Sequence, residues 1–165
     1  MPIVNNVTRL LDAHKVPYEA YELPAEKLGA VEAAQAMGVP PEQVFKTIVV
    51  TRDRTSLAFK GRKHVLAVVP GPASVNLKQL AALLGEKKLF LPTEREAEQL
   101  TGLKAGGISP LALINKGFQV LIDQAARDYE RIYISGGQRG LDIHLPVDAL
   151  ARLTNARFGK FAQVE

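Results

Sequence analysis

The ten residues from Thr101 to Pro110 combine features that suit a ligand-binding loop. They include three glycines and follow a segment with the pattern of a helix. Glycine permits positive φ and close approach of the backbone to a ligand, and proline biases Ser109 toward an extended conformation. Such a loop could direct backbone N–H groups at an anion or at a developing negative charge. A helix cap at Gly102 followed by a turn at Gly106 and Gly107 explains the same residues without a ligand.

Lys46 is a second candidate for chemistry. It interrupts an otherwise apolar strand pattern between Phe45 and Thr47. Alternation along the strand can place it on a solvated face. If it points into a cleft, its ammonium could hold a carbonyl, a phosphate or a ribose, and partial burial would lower its pKa and allow proton transfer. The residue pattern does not choose between these roles.

A second glycine cluster runs from Ser135 to Asp142 and includes Gly136. Paired glycines are typical of hairpin turns, which explains the cluster without a ligand. Asp142 then stands at the start of an apolar strand, where an unpaired carboxylate is costly. Three explanations remain open for it: capping backbone N–H groups, pairing with Lys46, or shaping a pocket.

Composition limits the class of protein. The chain has 165 residues, of which 47% are hydrophobic and 23% charged, so we expect one folded domain over residues 1–165. No apolar run approaches the roughly 20 residues that a membrane helix needs, and the N-terminus lacks the pattern of a secretory signal. We therefore expect a cytoplasmic protein with no membrane partner.

Several kinds of active site are disfavoured by what the chain lacks. It has no cysteine, hence no disulfide, thiolate metal site or cysteine nucleophile. Its three histidines, His14, His64 and His144, lack the spacing of metal ligands, so we expect neither a metal nor a cofactor. The standard phosphate-binding glycine motifs and the G-x-S-x-G motif of serine hydrolases are also missing.

The net charge of +4 permits a polyanionic partner without requiring one. Basic residues gather in two places, at Arg52, Arg54, Lys60, Arg62, Lys63 and His64, and at Lys87 and Lys88. A solvated hairpin tip explains such charges. The alternative is a surface that faces tRNA, which would supply salt-sensitive affinity but no sequence selectivity.

Periodicity and turn residues predict an α/β chain. Helices are predicted over residues 6–14, 30–37, 77–84, 94–101 and 146–153, with N-caps at Asn6, Asn76 and Thr93. Strands are predicted over residues 18–23, 44–50, 56–60, 64–69, 88–91, 118–123, 131–135 and 141–145. Short turns between the second, third and fourth strands favour an antiparallel meander. The whole pattern favours a mixed, largely antiparallel sheet flanked by helices.

Three segments resemble the YbaK/ProX family of aminoacyl-tRNA deacylases, most closely the YbaK-type cysteinyl-tRNA deacylases that act on mischarged tRNA(Pro). The segments are Val-Phe-Lys-Thr at 44–47, Thr-Gly-x-x-x-Gly-Gly-Ile-Ser-Pro at 101–110, and Ile-Tyr-Ile-Ser-Gly-Gly-Gln-Arg-Gly-Leu-Asp-Ile at 132–143. The resemblance implies a compact α/β fold with a mixed, barrel-like sheet. It also implies that the partner is the 3′ aminoacyl-adenosine end of tRNA and not DNA, and it makes a transient complex with prolyl-tRNA synthetase plausible.

The resemblance further implies which residues form the site. Lys46 matches the family's essential lysine, while Gly106 and Pro110 match its G-x-x-x-P loop beside the carbonyl of the charged amino acid. Tyr21 and Asp142 fall at positions that line the family's pocket. The matching segments supply further substrate-binding candidates: Thr47, Gly107, Ile108, Ser109, Ser135 and Gly136.

The implied reaction needs no nucleophile from the protein. In YbaK-like enzymes the cysteine thiol of the substrate is thought to attack its own carbonyl, which releases tRNA and a cyclic thiolactone. The protein would then position the 3′ end and stabilise the oxyanion with loop N–H groups. Lys46 would hold the terminal ribose or phosphate, or orient the aminoacyl group. The alternatives are a non-catalytic module that binds tRNA or a synthetase, and a site for a small phosphate ligand.

One departure bears on the choice of amino acid. Some cysteine-specific members are expected to have an aromatic wall residue between Tyr21 and the second helix, where this chain has Leu28 and Gly29. A difference of one small group in a pocket is worth only about 1–3 kcal/mol. An Ala-tRNA(Pro) deacylase that uses water as the nucleophile is therefore the alternative to a cysteine-specific enzyme.

Overall fold

The computed structural model describes residues 3–53 and 63–164. Within them, five α-helices are formed: α1 (Asn6–Ala13), α2 (Ala30–Met37), α3 (Leu77–Leu84), α4 (Glu94–Thr101) and α5 (Val147–Thr154). Short 3₁₀ turns lie at Pro41–Gln43, Pro110–Leu113 and Gln124–Asp128. Helices α2, α3 and α4 begin and end at the predicted residues.

The strands of the described residues are β1 (Glu19–Glu22), β2 (Phe45–Val50), β3 (His64–Pro70), β4 (Ala73–Val75), β5 (Phe118–Asp123), β6 (Arg131–Ser135), β7 (Leu141–Pro146), β8 (Arg157–Gly159) and β9 (Ala162–Val164). They form an antiparallel sheet in the order β1-β7-β6, a mixed sheet in the order β2-β3-β5-β8, and the pair β4-β9. In the mixed sheet, β2 runs antiparallel to β3, whereas β5 runs parallel to both β3 and β8. The predicted α/β class with a mixed sheet is confirmed.

The core lies on both sides of β3. Leu66 and Val68 pack between the two larger sheets, against β6, β7, α1 and α5. The alternate residues Val65, Ala67 and Val69 pack on the other face against α3 and Phe161. A strand buried on both faces reads as a continuous apolar run, which explains why β3 was readily predicted.

Four details of the predicted fold are wrong. Asn5, not Asn6, caps α1, because its side chain accepts the N–H of Thr8 in a capping box. The predicted strand at 88–91 is reduced to one bridge, in which Phe90 and Thr51 exchange backbone hydrogen bonds of 2.8 and 3.0 Å. The predicted meander is not formed either, because β2 pairs directly with β3. The predicted strand at 56–60 is not among these errors, because it lies outside the described residues.

The fourth error concerns the barrel-like sheet. Across residues 3–53 and 63–164, the strands form separate sheets and no closed barrel. The two larger sheets are joined by a single parallel bridge between Val44 and Tyr133. This bridge holds the start of β2 beside β6, and the cleft described next opens at that junction.

Candidate functional site

A cleft of about 470 Å³ opens where β2, the glycine loop and the 135–142 hairpin meet. Six of the predicted site residues line it: Lys46, Thr47, Gly106, Ile108, Ser135 and Asp142. The remaining wall comes from the 27–30 segment, the first turn of α2, the start of β2, Glu94 and Ala105. The fold therefore brings together residues from all three motifs that carried the sequence resemblance.

The glycine loop is held by hydrogen bonds to its carbonyl groups. The carbonyl of Lys104 accepts the N–H of Gly107 at 2.8 Å, and that of Ala105 accepts Nε of Arg139 at 2.7 Å. The hydroxyl of Ser135 approaches the carbonyl of Gly106 at 3.5 Å. These hydrogen bonds to the carbonyl groups hold the conformation of the loop through contacts within the protein.

Two N–H groups of this loop have no acceptor among the described residues. Within the described part of the chain, the N–H groups of Gly106 and Ile108 donate to no residue, and both residues line the cleft. Gly106 adopts a φ of +87°, a conformation that residues with a Cβ rarely reach. Two residues of the cleft wall therefore keep N–H groups without an acceptor in the described chain, while three consecutive carbonyls of the loop accept hydrogen bonds.

The two glycine clusters touch each other through their backbones. A Cβ at Gly107 would come within 2.9 Å of the backbone of Gln138 and 3.0 Å of the N atom of Arg139. Gly107 is buried, and its N–H is used in the turn with Lys104. Gly107 therefore supports the site by letting the loops meet, and it supplies no donor to the cleft.

Lys46 lies at the start of β2, opposite Val69 of β3, and is half-buried in the cleft wall. Strand alternation places it on the same face as Ile48 and Val50. Lys46 lines the cleft beside the glycine loop, which favours the cleft-facing explanation over a fully solvated face.

Asp142 is the carboxylate of the cleft. Its side chain is only 9% exposed, and it has no hydrogen bond or ion pair with any described residue. The capping and Lys46-pairing explanations are thereby ruled out for the described structure, and pocket lining remains. Burial raises the pKa of Asp142 from an ordinary value of 3.8 to about 6.

This burial predicts that Asp142→Asn stabilises the fold at neutral pH. Between pH 4 and 6 the unfolded state loses the proton of Asp142 while the folded state keeps it, so stability falls as the pH rises through that window. The asparagine variant escapes this loss. We expect it to unfold with a free energy about 2–3 kcal/mol higher than the wild type at pH 8, and with little difference at pH 4. Urea denaturation at both pH values measures this, and equal stabilities at pH 8 would contradict it.

The other predicted site residues lie around the cleft without lining it. Tyr21 is directly opposite Asp142 across β1 and β7, with its ring 5.7 Å from that of Tyr133. Ser109 is fully buried, and its hydroxyl accepts the N–H of Leu111. Pro110 starts the 3₁₀ turn and borders a different cavity. Gly136 is buried, and its N–H closes the hairpin onto the carbonyl of Leu141.

The 23–29 segment ends in the cleft wall, where the resemblance indicated Leu28 and Gly29 but not Lys27. Its Lys27 forms an ion pair of 2.7 Å with Glu94 at the start of α4, and both side chains are about half exposed. The N–H of Leu23 donates to the carbonyl of Gly140 in the second glycine cluster. No sequence signal connects these positions, because they come together only in the tertiary structure.

Part of the proposed basic surface is structural. His64 is fully buried, and Arg52 is held by Glu86 and Gln119 at 2.8 Å each. Arg54, Lys60 and Arg62 lie outside the described residues. Within the described chain, no group of three histidine, aspartate or glutamate side chains could hold a metal ion, and no helix could span a membrane.

A family model, a sequence relative and a solved structure all indicate the same family. Residues 25–153 match the model of the aminoacyl-tRNA editing domain. EbsC of Enterococcus faecalis, named for Cys-tRNA(Pro)/Cys-tRNA(Cys) deacylase activity, is 33% identical over 97% of this chain and 94% of its own length. A solved structure described as a trans-editing enzyme for prolyl-tRNA synthetase superposes with a TM-score of 0.76 at 25% identity, covering 98% of this chain and 99% of that one.

A shorter sequence match relates the chain to a synthetase. The proline–tRNA ligase of Desulforamulus reducens is 35% identical over 54% of this chain, a match that covers 14% of the ligase. The matching region is thus a small part of a much larger enzyme.

Proposed function

Since the chain belongs to the aminoacyl-tRNA editing domain family and is an aminoacyl-tRNA deacylase, we propose that its main substrate is Cys-tRNA(Pro), with Cys-tRNA(Cys) as a second substrate. The observation that carries the proposal is the glycine loop: Gly106 and Ile108 line the same cleft as Lys46 and Asp142, and their N–H groups have no acceptor among the described residues. The relative EbsC supports the choice of cysteine.

The proposed reaction is an intramolecular acyl transfer. The cysteine thiol attacks the ester carbonyl carbon, so a C–S bond forms as the bond from that carbon to the ribose oxygen breaks. The thiol proton ends on the ribose oxygen, and the products are tRNA with a free hydroxyl and cysteine thiolactone. The N–H groups of Gly106 and Ile108 stabilise the carbonyl oxygen while it carries negative charge, and removal of one such donor typically costs about 10²–10³ in rate.

Two charged side chains orient the substrate in this proposal. Asp142 binds the α-ammonium group of the amino acid, which supplies the partner that this buried carboxylate lacks among the described residues. Lys46 holds the terminal ribose or phosphate. With both ends of the aminoacyl-adenosine fixed, the thiol and the carbonyl are held close together, as an intramolecular reaction requires.

A deacylation panel tests the proposal. We expect the protein to release amino acid from Cys-tRNA(Pro) and Cys-tRNA(Cys) at least about tenfold faster than from Ala-, Ser- or Pro-tRNA(Pro), because only cysteine carries the thiol. N-acetyl-Cys-tRNA(Pro) keeps the thiol but lacks the ammonium, and it should be cleaved about 10–100-fold more slowly. Equal rates with all amino acids would contradict thiol assistance. Addition of prolyl-tRNA synthetase to the panel tests it as a transient partner.

The wall residue Leu28 favours a second candidate, an Ala-tRNA(Pro) deacylase. Leu28 is partly buried in the cleft wall, where an aromatic residue is expected in some cysteine-specific members. A wall without an aromatic ring alters the space around the amino-acid side chain, and such differences discriminate weakly. In this case water would attack the ester and free alanine would be released. The same panel separates the two candidates by the rate on Ala-tRNA(Pro).

A further inference from the structure

Among the described residues, no strand runs along the outer edge of β2, and this edge borders the cleft. Strand β2 is the edge strand of the mixed sheet, with β3 as its neighbour on one side. On the other side it makes two single bridges, from Val44 to Tyr133 and from Thr51 to Phe90. No described strand lies against the residues between these bridges. Phe45, Lys46, Thr47 and Ile48, within this open stretch, all line the cleft.

The register shows which backbone groups point outward. Gly71 donates its N–H to the carbonyl of the opposing Val44 at 2.7 Å. In an antiparallel pair, hydrogen-bonded and non-bonded positions alternate, so Lys46 and Ile48 bond to β3, whereas Thr47 directs its N–H and C=O away from it. Thr51 lies four residues after Thr47, so its backbone groups point to the same side of β2. Its hydrogen bonds with Phe90 confirm that this side faces away from β3.

The outward groups of Thr47 lack partners in the described part of the chain. An extended residue presents its N–H and its C=O side by side in the same direction, as a donor next to an acceptor. Backbone groups at a partly buried position normally find a partner, and an open strand edge is a ready template for one. The complementary ligand edge is an acceptor next to a donor.

We propose that Thr47 binds the terminal adenine of tRNA through this strand edge, a role that rests on the proposed function. The N–H of Thr47 donates to N1 of adenine, and the amino group of adenine donates to the C=O of Thr47. Adenine is attached to the same ribose as the aminoacyl ester, and the cleft that exposes Thr47 also contains Lys46 and Gly106. This pair of hydrogen bonds suits adenine or cytosine, whose ring nitrogen next to the amino group is an acceptor. It disfavours guanine, uracil and hypoxanthine, because the corresponding ring nitrogen of these bases carries a proton.

Binding of uncleavable ligands tests the proposal directly. The reference ligand is 3′-cysteinylamino-3′-deoxyadenosine, measured by calorimetry against its N6,N6-dimethyl and inosine counterparts. We expect each counterpart to bind about tenfold more weakly, because each loses or opposes a hydrogen bond to Thr47. The 7-deazaadenosine counterpart keeps the edge used here and should bind like the reference. Equal affinity for all four ligands would overturn the proposal.

A variant that lacks the N–H of residue 47 provides a second test of the proposal. Thr47→Pro removes an outward N–H together with the threonine side chain, a change that an edge strand tolerates, whereas Ile48→Pro would remove an N–H bonded to β3. We expect Thr47→Pro to lose most of the preference for adenosine over inosine, while Thr47→Val retains it. Retention of the full preference in a folded Thr47→Pro protein would overturn the role of this N–H.

These results separate the inference from the proposed function. If the wild type deacylates Cys-tRNA(Pro) but binds adenosine and inosine ligands equally, the strand-edge proposal fails and the function stands. If it cleaves no Cys-tRNA but still binds the adenosine ligand about tenfold more tightly than the inosine ligand, the proposed function fails and the strand-edge site stands.

Discussion

Replacement of Lys46 by alanine is expected to reduce deacylation of Cys-tRNA(Pro) by about 100-fold or more while the protein remains folded. The lysine is half-buried in the cleft wall at the start of β2, beside the loop that is proposed to hold the carbonyl. Loss of a charged group that positions a reacting ester costs roughly two orders of magnitude or more. The measurement is kcat/KM for tRNA release, together with urea denaturation.

Lys78→Ala is the matched control for this prediction. Lys78 is an exposed lysine on α3, so its removal changes the net charge by the same amount without touching the cleft. We expect wild-type activity from it. Unchanged turnover in Lys46→Ala would remove Lys46 from the mechanism, and equal losses in both variants would point to long-range attraction of tRNA.

Replacement of Gly106 by alanine is expected to slow the reaction by about 100-fold, because it displaces a donor of the proposed oxyanion site. The φ of Gly106 is +87°, and a Cβ there would find no atom closer than 3.5 Å. The cost is therefore one of backbone conformation and not of space, about 1–2 kcal/mol if the loop is unchanged. The loop can relieve it by rotating the Gly106 N–H away from the cleft.

Gly102→Ala is the control that distinguishes a loss of catalytic rate from the cost of placing alanine at a positive φ. Gly102 belongs to the same loop, has a φ of +71°, and likewise has open space around its Cβ position. It caps α4 and does not line the cleft. We expect a similar loss of stability in both variants, with the loss of kcat confined to Gly106→Ala. A fully active Gly106→Ala protein would count against the oxyanion role.

The local structure of this chain was largely predictable from its sequence. The capping box of Thr93 and Glu96 and the glycine stop at Gly38 fix helix ends through contacts between near neighbours in the chain. The error at residues 88–91 has a physical reason. In the described chain, Phe90 pairs with Thr51 through one isolated bridge, and a segment with high β propensity does not form a strand without a longer partner.

The site was predictable only in part, because its chemistry depends on long-range pairing. The motifs identified Lys46, the glycine loop and Asp142, and the fold brings them to one cleft. The sequence could not tell whether Asp142 had a partner, since this depends on every element that packs around it. Nor could it indicate the outward direction of Thr47, which is set by the register of β2 against β3.

In the proposed reaction, the N–H donors of the glycine loop would also affect how the product leaves the cleft. Hydrolysis by water would release a free amino acid, a zwitterion whose carboxylate fits the N–H groups of Gly106 and Ile108 and whose ammonium fits Asp142. Such a product would compete with the next substrate. A thiolactone has no carboxylate and keeps only the second contact. Cyclisation would thus avoid inhibition of the enzyme by its own product. Free cysteine in solution would still compete weakly with the substrate.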